Sequence, residues 1–513
     1  MKKAVIIGAG PAGLTAAYEL IRSGDCEVTV IEESDTFGGI SRTVKVGGNR
    51  MDIGGHRFFS KDARVTEWWE NMLPLQGKPS FDDIKLGREK PLKKNGPDPE
   101  ATDDCMLLRR RVSRIYYKRR FFDYPVSLKW DTIKNMGLCD TVAAGFSYIK
   151  ASLHKLPETS LENFYINRFG KKLYSMFFEG YTEKLWGRHP SEISAEWGAQ
   201  RVKGLSISAV IKDIFGRLFG GKNRKVETSL IEQFIYPKLG PGELWEKTAK
   251  ECEKLGAKFI LNSRATRIMT DGNTVTAVEY TDKNGEIKTE KCDYCISSMP
   301  LCDLIKGMSD IPQDVRRIAE GLPYRDFVTV GMKFSKLDLV NKTDIKTLGN
   351  IVPDCWIYVQ EPDVALGRIQ IFNNWSAYMV EDAENSVFLG LEYFCAEGDR
   401  LWNMSEEEWT ALATDELIKM GVVSEKPLFS HVEKVKKAYP AYFDTYAEID
   451  KLKSHLDTYE NLFCIGRNGQ HRYNNMDHSM VTAFEAVNCI KNGITDKTAV
   501  WNVNTETEYH EEK

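Results

Sequence analysis

The amino-acid sequence predicts an α/β protein. The chain opens with a short apolar strand, Ala4 to Ile7, which leads through a glycine-rich turn into a helix over Leu14 to Ser23. A second strand at Val28 to Ile31 completes a β-α-β unit. Residues 128 to 220 are mostly helical in pattern and rich in aromatic side chains, whereas several short strands return at 257 to 300. Strands and helices therefore share the chain from end to end.

Length, composition and charge limit the function classes. A chain of 513 residues exceeds what one small core holds, so we expect two or three domains. Apolar residues make up 42% and charged residues 28%, which is ordinary for a globular protein. The net charge of -4 gives no support to a nucleic-acid partner, which needs a basic domain or stripe. A small anionic substrate needs only a local basic pocket, so the net charge does not exclude such a substrate.

The start of the chain and its cysteines indicate the compartment. The first strand begins almost at Met1 without a signal-peptide pattern, and no apolar run approaches the ~18 residues that span a bilayer. We therefore expect a cytoplasmic protein with at most peripheral membrane contact. The eleven cysteines are scattered and odd in number, which favours reduced thiols. Cys292 and Cys295 alternate within a strand, which predicts core residues and no metal site.

A glycine motif follows the first strand. Gly8-Ala9-Gly10-Pro11-Ala12-Gly13 has the G-x-G-x-x-G spacing at the junction of strand and helix. The first glycine allows the tight turn, the second lets a pyrophosphate approach the backbone, and the third packs helix on strand. Free N–H groups at the helix start then face the phosphates. Glu32 ends the second strand, where a carboxylate can accept from ribose hydroxyls. The alternative, an ordinary glycine-rich turn with a surface glutamate, is weakened by this context.

The residues after Glu32 separate FAD from NAD. The segments Phe37 to Arg42 and Met51 to His56 resemble the flavoprotein superfamily of amine oxidases, protoporphyrinogen oxidases, phytoene desaturases and UDP-galactopyranose mutases. In that superfamily a GG…R segment carries the pyrophosphate and flavin side of FAD. Together with the glycine motif, the resemblance predicts these FAD-binding residues: Gly8, Gly10, Pro11, Ala12, Gly13, Glu32, Glu33, Gly39, Arg42, Gly55, Ala265, Gly466, Arg467, Asn475 and Met476.

The same resemblance implies that the chain returns twice to the FAD-binding domain. The first return is Leu261 to Ile268, where backbone near Ala265 would meet the adenine. The second is Cys464 to Arg467 and the following helix, whose N-terminus would face the flavin. Taken alone, each return reads equally well as a core strand.

We therefore predict a discontinuous, Rossmann-like FAD-binding domain with a helical insertion and a mixed-sheet substrate domain. The predicted boundaries are 1–75, 235–300 and 455–500 for the FAD-binding domain, 76–234 for a mainly helical insertion that caps the substrate, 301–454 for the mixed α/β substrate domain, and 501–513 for an acidic tail.

Four further segments resemble one branch of the superfamily, the eukaryotic-type UDP-galactopyranose mutases and their bacterial relatives. Asp52 to Ser60 is similar to the mutases' mobile histidine loop beside the flavin, with His56 as the histidine. Trp186 and Arg201, fifteen residues apart, have the spacing of a tryptophan and an arginine in the substrate cleft. Ala438-Tyr439-Pro440 is similar to a G-Y-P whose tyrosine reaches the diphosphate.

The fourth segment, Gly466 to Ser479, is the most specific. It resembles the mutases' G-R-x-G…K-Y…N-x-D-H-S, in which Tyr473 would point toward the substrate. Tyr124-Pro125 and the strand at Arg368 resemble mutase segments more weakly. The resemblance implies His56, Arg201, Tyr439 and Tyr473 as catalytic residues. It implies these substrate-binding residues: Tyr124, Trp186, Lys333 and Arg368.

The resemblance also implies a reaction. In the mutases the reduced flavin acts as a nucleophile: its N5 attacks the anomeric carbon and UDP leaves, the sugar ring opens and recloses at another hydroxyl, and UDP returns. The pyranose and furanose forms interconvert without net redox change. The substrate would be a nucleotide sugar, and an external reductant such as NAD(P)H is a candidate electron donor.

Three departures from the mutase pattern bear on the substrate. The stretch that ends in Lys333 is two residues shorter than its counterpart and carries lysine where the family has an arginine, and lysine cannot grip a phosphate bidentately. The turn at Tyr473 is also two residues shorter, and Ser127 stands where the mutases carry a polar amide. These changes leave the nucleotide and the sugar open.

Other interpretations remain. The superfamily motifs equally permit an oxidase or dehydrogenase with net electron transfer. Trp186 alone reads as a core residue, and Arg201 alone as half of an ion pair. His471 and His478 read as helix-cap or surface residues. The basic run that starts at Arg109 predicts a solvated face or the border of an anion or lipid site, and the amphipathic stretch Ile207 to Phe219, with its basic end, a surface helix.

Overall fold

The computed structural model describes residues 1–124, 130–195 and 233–504. The predictions for Ser127, for Arg201 and for the stretch Ile207 to Phe219 lie outside the described residues, as does the acidic tail beyond residue 504.

The strands of the described residues are β1 (Lys2–Ile7), β2 (Cys26–Ile31), β3 (Thr43–Val46), β4 (Asn49–Asp52), β5 (Met106–Arg110), β6 (Ser113–Tyr117), β7 (Arg120–Asp123), β8 (Gln233–Pro237), β9 (Lys258–Ile260), β10 (Arg264–Asp271), β11 (Thr274–Thr281), β12 (Ile287–Lys291), β13 (Tyr294–Ser297), β14 (Tyr324–Phe334), β15 (Trp356–Val359), β16 (Arg368–Ile371), β17 (Val387–Cys395), β18 (Phe429–Pro440) and β19 (Leu462–Cys464).

The helices of the same residues are α1 (Pro11–Ser23), α2 (Ala63–Met72), α3 (Phe81–Leu86), α4 (Trp130–Met136), α5 (Leu138–Leu153), α6 (Leu161–Tyr174), α7 (Gly180–Trp186), α8 (Pro241–Lys254), α9 (Leu301–Lys306), α10 (Gln313–Glu320), α11 (Phe372–Trp375), α12 (Glu406–Met420), α13 (Ile449–Leu456), α14 (Gly466–Gly469), α15 (Met476–Asn492) and α16 (Thr498–Trp501). In the part of the chain that is described, no helix has the length and apolar character needed to cross a bilayer.

The chain divides into two compact units. Unit 1 consists of Met1–Leu108, Ile235–Arg325 and Val435–Thr505, and unit 2 of Arg109–Phe234, Asp326–Lys434 and Glu506–Lys513.

These units differ from the predicted domain boundaries. Residues 76–108, predicted as part of a helical insertion, belong to unit 1. The reason is bonding to the rest of unit 1: the Met106 N–H donates to the Pro74 carbonyl, and the Lys238 ammonium donates to the Pro99 carbonyl. Unit 1 also extends to Arg325 and resumes at Val435, because β14 and β18 each begin in one unit and end in the other.

Unit 1 contains a five-stranded parallel sheet in the order β19-β13-β1-β2-β9. In the central strand β1, Ile6 pairs with Val30 of β2 on one side and with Ile296 of β13 on the other. The chain builds outward from β1 to β2 and β9 and then crosses to β13 and β19. This reversal leaves a crevice at the carboxyl ends of β1 and β13, the place where parallel sheets of this type bind nucleotides.

Both faces of this sheet are covered, which explains why its strands read as continuous apolar runs. Ile6 and Val30 pack in a core with Leu14 of α1, Leu244 of α8 and Met480 of α15. The alternate residues point the other way. They pack in a second core with the antiparallel sheet β10-β11-β12 and with α9, α10 and α13. The α/β class predicted from the sequence is confirmed.

Unit 2 is built on a seven-stranded mixed sheet in the order β18-β14-β17-β16-β15-β6-β7. Strands β15 and β6 run parallel, whereas β14, β17, β16 and β15 pair antiparallel in turn. One face is apolar: Val330 and Leu391 pack with Trp409 and Leu417 of α12. Near β6 and β7, Ile115 and Phe122 form a smaller core with Phe177.

The basic run that starts at Arg109 is not the solvated face that its charge predicts. Arg109 is buried, and Arg114 donates two hydrogen bonds, of 2.9 and 2.6 Å, to the fully buried carboxylate of Asp354. The Arg114 guanidinium also lies 3.9 Å from the centre of the Phe121 ring. The reason is that β6 is an interior strand, flanked by β15 and β7.

We predict that Arg114→Met lowers the free energy of unfolding by roughly 3–5 kcal/mol, because it leaves a buried carboxylate without its cation. Lys419→Met, which removes a half-exposed partner of Asp363 from the same unit, is the control and should cost at most about 1 kcal/mol. Urea denaturation followed by tryptophan fluorescence measures both. Equal losses in the two variants would contradict the prediction.

Candidate functional site

Two glycines at the turn between β1 and α1 of unit 1 have no room for a side chain. Gly8 has a φ of +98°, and a Cβ placed there would lie 2.2 Å from Ser298 Oγ. A Cβ at Gly13 would lie 1.9 Å from the Gly8 carbonyl oxygen. Helix α1 therefore starts pressed against the end of β1. Its first turn has no side-chain cap, with Gly10 at the cap position and Pro11 next, which leaves backbone N–H groups, including that of Ala12, for an anion.

Glu32 is held against this turn. Its carboxylate accepts from the Ala9 N–H at 2.6 Å and from the Ser34 N–H and hydroxyl at 2.9 and 2.7 Å. A carboxylate offers about four lone-pair sites, so acceptor capacity remains for a ribose hydroxyl. Glu33 instead is largely exposed and lies 3.7 Å from Arg264. Of the two predicted carboxylates, Glu32 is the one placed at the turn.

A second glycine turn lies beside the first. The Gly38 N–H donates to the Ala9 carbonyl at 2.9 Å, and a Cβ at Gly39 would lie 3.3 Å from the Gly10 Cα. Arg42 follows, half-buried, and its guanidinium donates to the Gly39 carbonyl at 3.2 Å. The predicted Gly39 and Arg42 thus adjoin the glycine motif.

The two later segments reach the same sheet. The Ser263 N–H donates to the Glu32 carbonyl at 2.8 Å, which puts the buried Ala265 at the start of β10 close to the end of β2. The Ile465 N–H donates to the Ser297 carbonyl, and a Cβ at Gly466 would lie 2.9 Å from the Ala12 Cβ. Both predicted returns therefore lie at the carboxyl end of the parallel sheet.

Helix α15 begins with a reciprocal cap. Asn475 and His478 form a capping box, in which the Asn475 N–H donates to His478 Nδ1 at 3.3 Å and the Asn475 side chain accepts in return. Met476 is the first residue of the helix. His478 is thus a helix-cap residue, one of the two alternatives for it. Asn475 has a structural role that is separate from the predicted contact with the cofactor.

His471, by contrast, is neither a cap nor a surface residue. It is fully buried, its Nε2 lies 3.0 Å from the Ala441 carbonyl, and its ring packs edge-on against Tyr324. Burial lowers the pKa of His471 to about 4, so the imidazole stays neutral. The turn after α14 folds inward at this residue, which has a φ of +46°, and this explains why the surface interpretation is wrong.

Two tyrosines and an arginine form a compact cluster in unit 1. The rings of Tyr439 and Tyr473 stack with their centres 5.6 Å apart and an interplanar angle of 23°. The Arg467 guanidinium carbon lies 4.5 Å from the Tyr473 ring centre and 5.8 Å from the Tyr439 ring centre. Arg467 is fixed by hydrogen bonds to the carbonyls of Asn474 and Ala438, at 2.8 and 3.0 Å. We call these three residues the Tyr-Arg-Tyr cluster.

The histidine loop, Asp52 to Ser60, begins at the end of β4 with the buried carboxyl group of Asp52. Asp52 accepts hydrogen bonds from the Thr43 hydroxyl and from the Tyr236 phenol, and burial raises the pKa of Asp52 to about 7. Beyond it, Gly54 has a φ of +85°, and Gly55 and His56 are half-buried. Asp52 therefore anchors the start of the loop that carries His56.

In unit 2, the second face of the mixed sheet is polar although it is buried. Arg368 Nε lies 2.9 Å from Glu392 Oε2, and the Gln370 amide donates to Glu392 Oε1 at 3.0 Å. Burial raises the pKa of Glu392. The Arg368 guanidinium lies 4.8 Å from the Phe394 ring centre and 5.3 Å from that of Trp356. A charged group held among aromatic rings is typical of a ligand-binding surface.

The other predicted substrate residues of unit 2 differ in their surroundings. The Tyr124 ring lies 4.4 Å from Tyr358, the cross-strand neighbour of Arg368. Lys333 lies on the polar face and 3.4 Å from the exposed Glu381. Trp186, at the end of α7, is buried, as the core interpretation has it.

Three residues of these surfaces were not predicted from the sequence. Glu392 stands alone in the apolar run Val387–Cys395, and a single charge in a buried strand is a signal that could have identified it. Tyr358 and Asp52 could not be identified from the sequence. Tyr358 is of interest because it pairs with Arg368 across the sheet, and Asp52 because it accepts from Tyr236 in the core. These partners lie far away in the chain.

The parallel sheet reverses its strand order beside a glycine turn at the start of α1, and this arrangement is typical of a dinucleotide-binding protein. The chain belongs to the family of flavin-containing amine oxidoreductases, whose family model matches residues 11–490. This membership implies that the dinucleotide is FAD.

Known proteins give a more detailed comparison. The 1-hydroxycarotenoid 3,4-desaturase of Flavobacterium sp. is 47% identical over 58 residues, which are 11% of this chain and 12% of that protein's length. The mitochondrial protoporphyrinogen oxidase of Nicotiana tabacum is 22% identical over 478 residues, 89% of each chain. The crystal structure of a reduced UDP-galactopyranose mutase superposes with a TM-score of 0.76 at 21% identity, covering 99% of this chain and 100% of that one. The chain shares the mutase fold.

The residues of unit 1 fit FAD. The start of α1 leaves backbone N–H groups, including that of Ala12, for the pyrophosphate, and Glu32 retains acceptor capacity for the ribose. Gly39, Arg42 and the start of α15 would then lie along the flavin side, as the family resemblance implies. The cofactor would supply the electron chemistry, and the chain would bind and orient it.

We predict that Gly13→Ala abolishes FAD retention, because its Cβ would overlap the Gly8 carbonyl oxygen and force α1 away from β1. Gly180→Ala is the matched control, since a Cβ at this helical glycine meets nothing within 4 Å. The measurement is the ratio of flavin to protein absorbance after purification. Wild-type flavin content in Gly13→Ala would show that the turn does not carry the cofactor.

We predict that His471 makes stability fall as the pH drops from about 6.5 to about 4. In that window the unfolded imidazole binds a proton and the native one, with its pKa near 4, does not, so protonation favours unfolding by up to roughly 3 kcal/mol. Asp52 titrates with the opposite sign, since its native pKa is raised. The test therefore compares wild type with His471→Gln by urea denaturation at several pH values. Parallel pH profiles for the two proteins would refute the prediction.

Proposed function

We propose that this protein is an FAD-dependent sugar-nucleotide mutase that interconverts pyranose and furanose forms. The chain would hold a reduced flavin, and that cofactor would supply the nucleophile for the anomeric carbon through its N5. The observation that carries the proposal is the Tyr-Arg-Tyr cluster, which presents two phenol groups beside a fixed cation in the unit that binds FAD.

The chemistry of the cluster suits a diphosphate leaving group. Two hydrogen bonds to backbone carbonyls hold Arg467, so its charge is fixed before substrate arrives. The family resemblance assigns Arg467 to FAD, and the proposal adds the role of a cation beside the two phenols. Phenolic O–H groups donate to phosphate oxygens, and a charge-assisted hydrogen bond is about twice as strong as a neutral one. An amine or a polyene substrate has no anion for this cluster to bind. The shared fold with a UDP-galactopyranose mutase over the full length of both chains supports the same class.

The remaining predicted residues would act around this step. His56, on the loop anchored by Asp52, would organise the flavin side, and Arg201 would take a diphosphate oxygen, as the family resemblance implies. Lys333 would supply charge without bidentate contact, which permits a nucleotide other than the uridine type. Reduction would come from an external donor such as NAD(P)H, once per active enzyme and not once per turnover.

A second candidate is an FAD-dependent oxidoreductase with net electron transfer. It is favoured by the similarity to tobacco protoporphyrinogen oxidase over 89% of both chains. The two candidates differ in stoichiometry. An oxidase consumes one oxygen molecule for each two-electron oxidation of its substrate, whereas a mutase consumes no oxidant. Oxygen uptake with amines or porphyrinogens therefore separates them.

We predict that the dithionite-reduced holoprotein converts at least one member of a panel of nucleotide sugars, UDP-galactose among them, to its furanose form. The product is detected by chromatography. Tyr439→Phe and Tyr473→Phe should each lower kcat/KM by roughly 10–100-fold, since each removes one donor to a charged group. Tyr459→Phe, which removes a buried phenol elsewhere in unit 1, is the control and should leave the rate unchanged.

The proposal fails if no nucleotide sugar of the panel yields a furanose and none binds the reduced protein. Product formation with equal rates in the three tyrosine variants would keep the mutase and remove the Tyr-Arg-Tyr cluster from its mechanism.

A further inference from the structure

Helix α5 of unit 2 exposes a row of large apolar side chains. Leu138 is 75% exposed, Val142 49%, Phe146 71%, Ile149 55% and Leu153 73%. Such side chains normally scatter singly over a surface, and a continuous row marks a binding surface. We call these five residues the α5 apolar stripe.

The stripe is a single helical face. Its members are spaced by four, four, three and four residues, and because each residue turns a helix by about 100°, they occupy a sector of roughly 80°. Ala144 and Ala151, the residues of α5 that are buried, lie on the opposite side. At about 1.5 Å per residue the stripe is roughly 22 Å long. Leu156, 41% exposed, continues the apolar character past the end of the helix.

Two exposed lysines lie at the edges of the stripe. Lys150 is exposed on α5 itself, about 40° around the helix from Phe146, and Lys134 is exposed on α4, four residues before Leu138. The one acidic residue of α5, Asp140, lies on the side opposite the stripe, where it forms ion pairs with Lys118 and Lys172 at 3.2 and 2.8 Å. The two lysines at the stripe are therefore not offset by an acidic residue on the same face of α5.

We propose that the α5 apolar stripe docks the protein onto a membrane surface that contains anionic phospholipids. An apolar helical face with flanking cations lies in the plane of such a surface, with the apolar side chains in the acyl boundary and the cations at the headgroups. Lysine stems extend along the apolar surface and bring their ammonium groups to the phosphates. The helix lies on the bilayer and does not cross it, in agreement with the absence of a spanning helix among the described residues.

A second copy of the chain fits this surface less well. In a symmetric dimer through the stripe, Lys134 and Lys150 of one copy would approach the same two lysines of the other, because a two-fold interface pairs a patch with itself. Like charges at that distance oppose association, whereas phospholipid headgroups of opposite charge favour it. The inference uses residues of unit 2 alone and does not depend on the reaction that the flavin catalyses.

The test is flotation of the purified holoprotein with vesicles of phosphatidylcholine, with and without phosphatidylglycerol. We expect the protein to float with the phosphatidylglycerol vesicles and to bind the neutral vesicles at least about tenfold more weakly, and added salt to weaken the first interaction. Phe146→Ser combined with Ile149→Ser should abolish flotation. Ile287→Ser, which removes a 68% exposed isoleucine from β12 of unit 1, is the matched control and should float as wild type does.

A second variant distinguishes loss of membrane binding from misfolding. Lys134→Glu combined with Lys150→Glu leaves the apolar stripe intact and should also lose the preference for phosphatidylglycerol, with a flavin absorbance equal to that of wild type. The proposal is overturned if the wild-type protein does not float, or if both stripe and control variants float equally. It is also overturned if light scattering shows a dimer that only the stripe variant dissociates and vesicles do not compete, since the occupant is then a second copy.

Discussion

The close approach of α1 to the end of β1 positions the glycine turn of unit 1. At Gly13 the helix approaches the Gly8 carbonyl so nearly that a Cβ would lie 1.9 Å from it. This approach fixes where the first turn of α1 points, and it leaves the backbone N–H groups at the carboxyl end of the parallel sheet. Glu32 then binds the same turn through the Ala9 N–H, and Gly466 passes beside Ala12. Segments far apart in the chain thus meet at one edge of one sheet.

The two units place their polar groups in different ways. Unit 1 uses backbone groups and a few fixed side chains, such as Arg467 held by two carbonyls between Tyr439 and Tyr473. Unit 2 places them on one face of a sheet, where Arg368 and Glu392 form a buried pair while the opposite face packs against α12. A buried charge pair adds little stability compared with apolar packing, so stability alone does not explain this pair.

The sequence predicted the β-α-β unit and the glycine turn, because these depend on local spacing and on residues that admit no side chain. The two returns of the chain to the sheet were implied by the family resemblance and not by the spacing of their residues. The sequence did not predict the inward turn at His471 or the partner of Arg114. Those depend on a positive φ at a non-glycine residue and on a strand pairing between residues far apart in the chain. Glu392 was visible only as one charge in an apolar strand, and its partner Arg368 became evident only from the register.

A mutase would leave its bound flavin with the same number of electrons before and after each turnover, whereas an oxidoreductase would transfer two electrons between flavin and substrate. The absorbance spectrum of the bound flavin distinguishes the two, recorded without oxygen while a nucleotide sugar is added before and after reduction. For the proposed mutase we expect the sugar nucleotide to leave the oxidised flavin oxidised, and to shift the spectrum of the reduced flavin without reoxidising it. Bleaching of the oxidised flavin by the added substrate would refute the mutase proposal and identify an oxidoreductase.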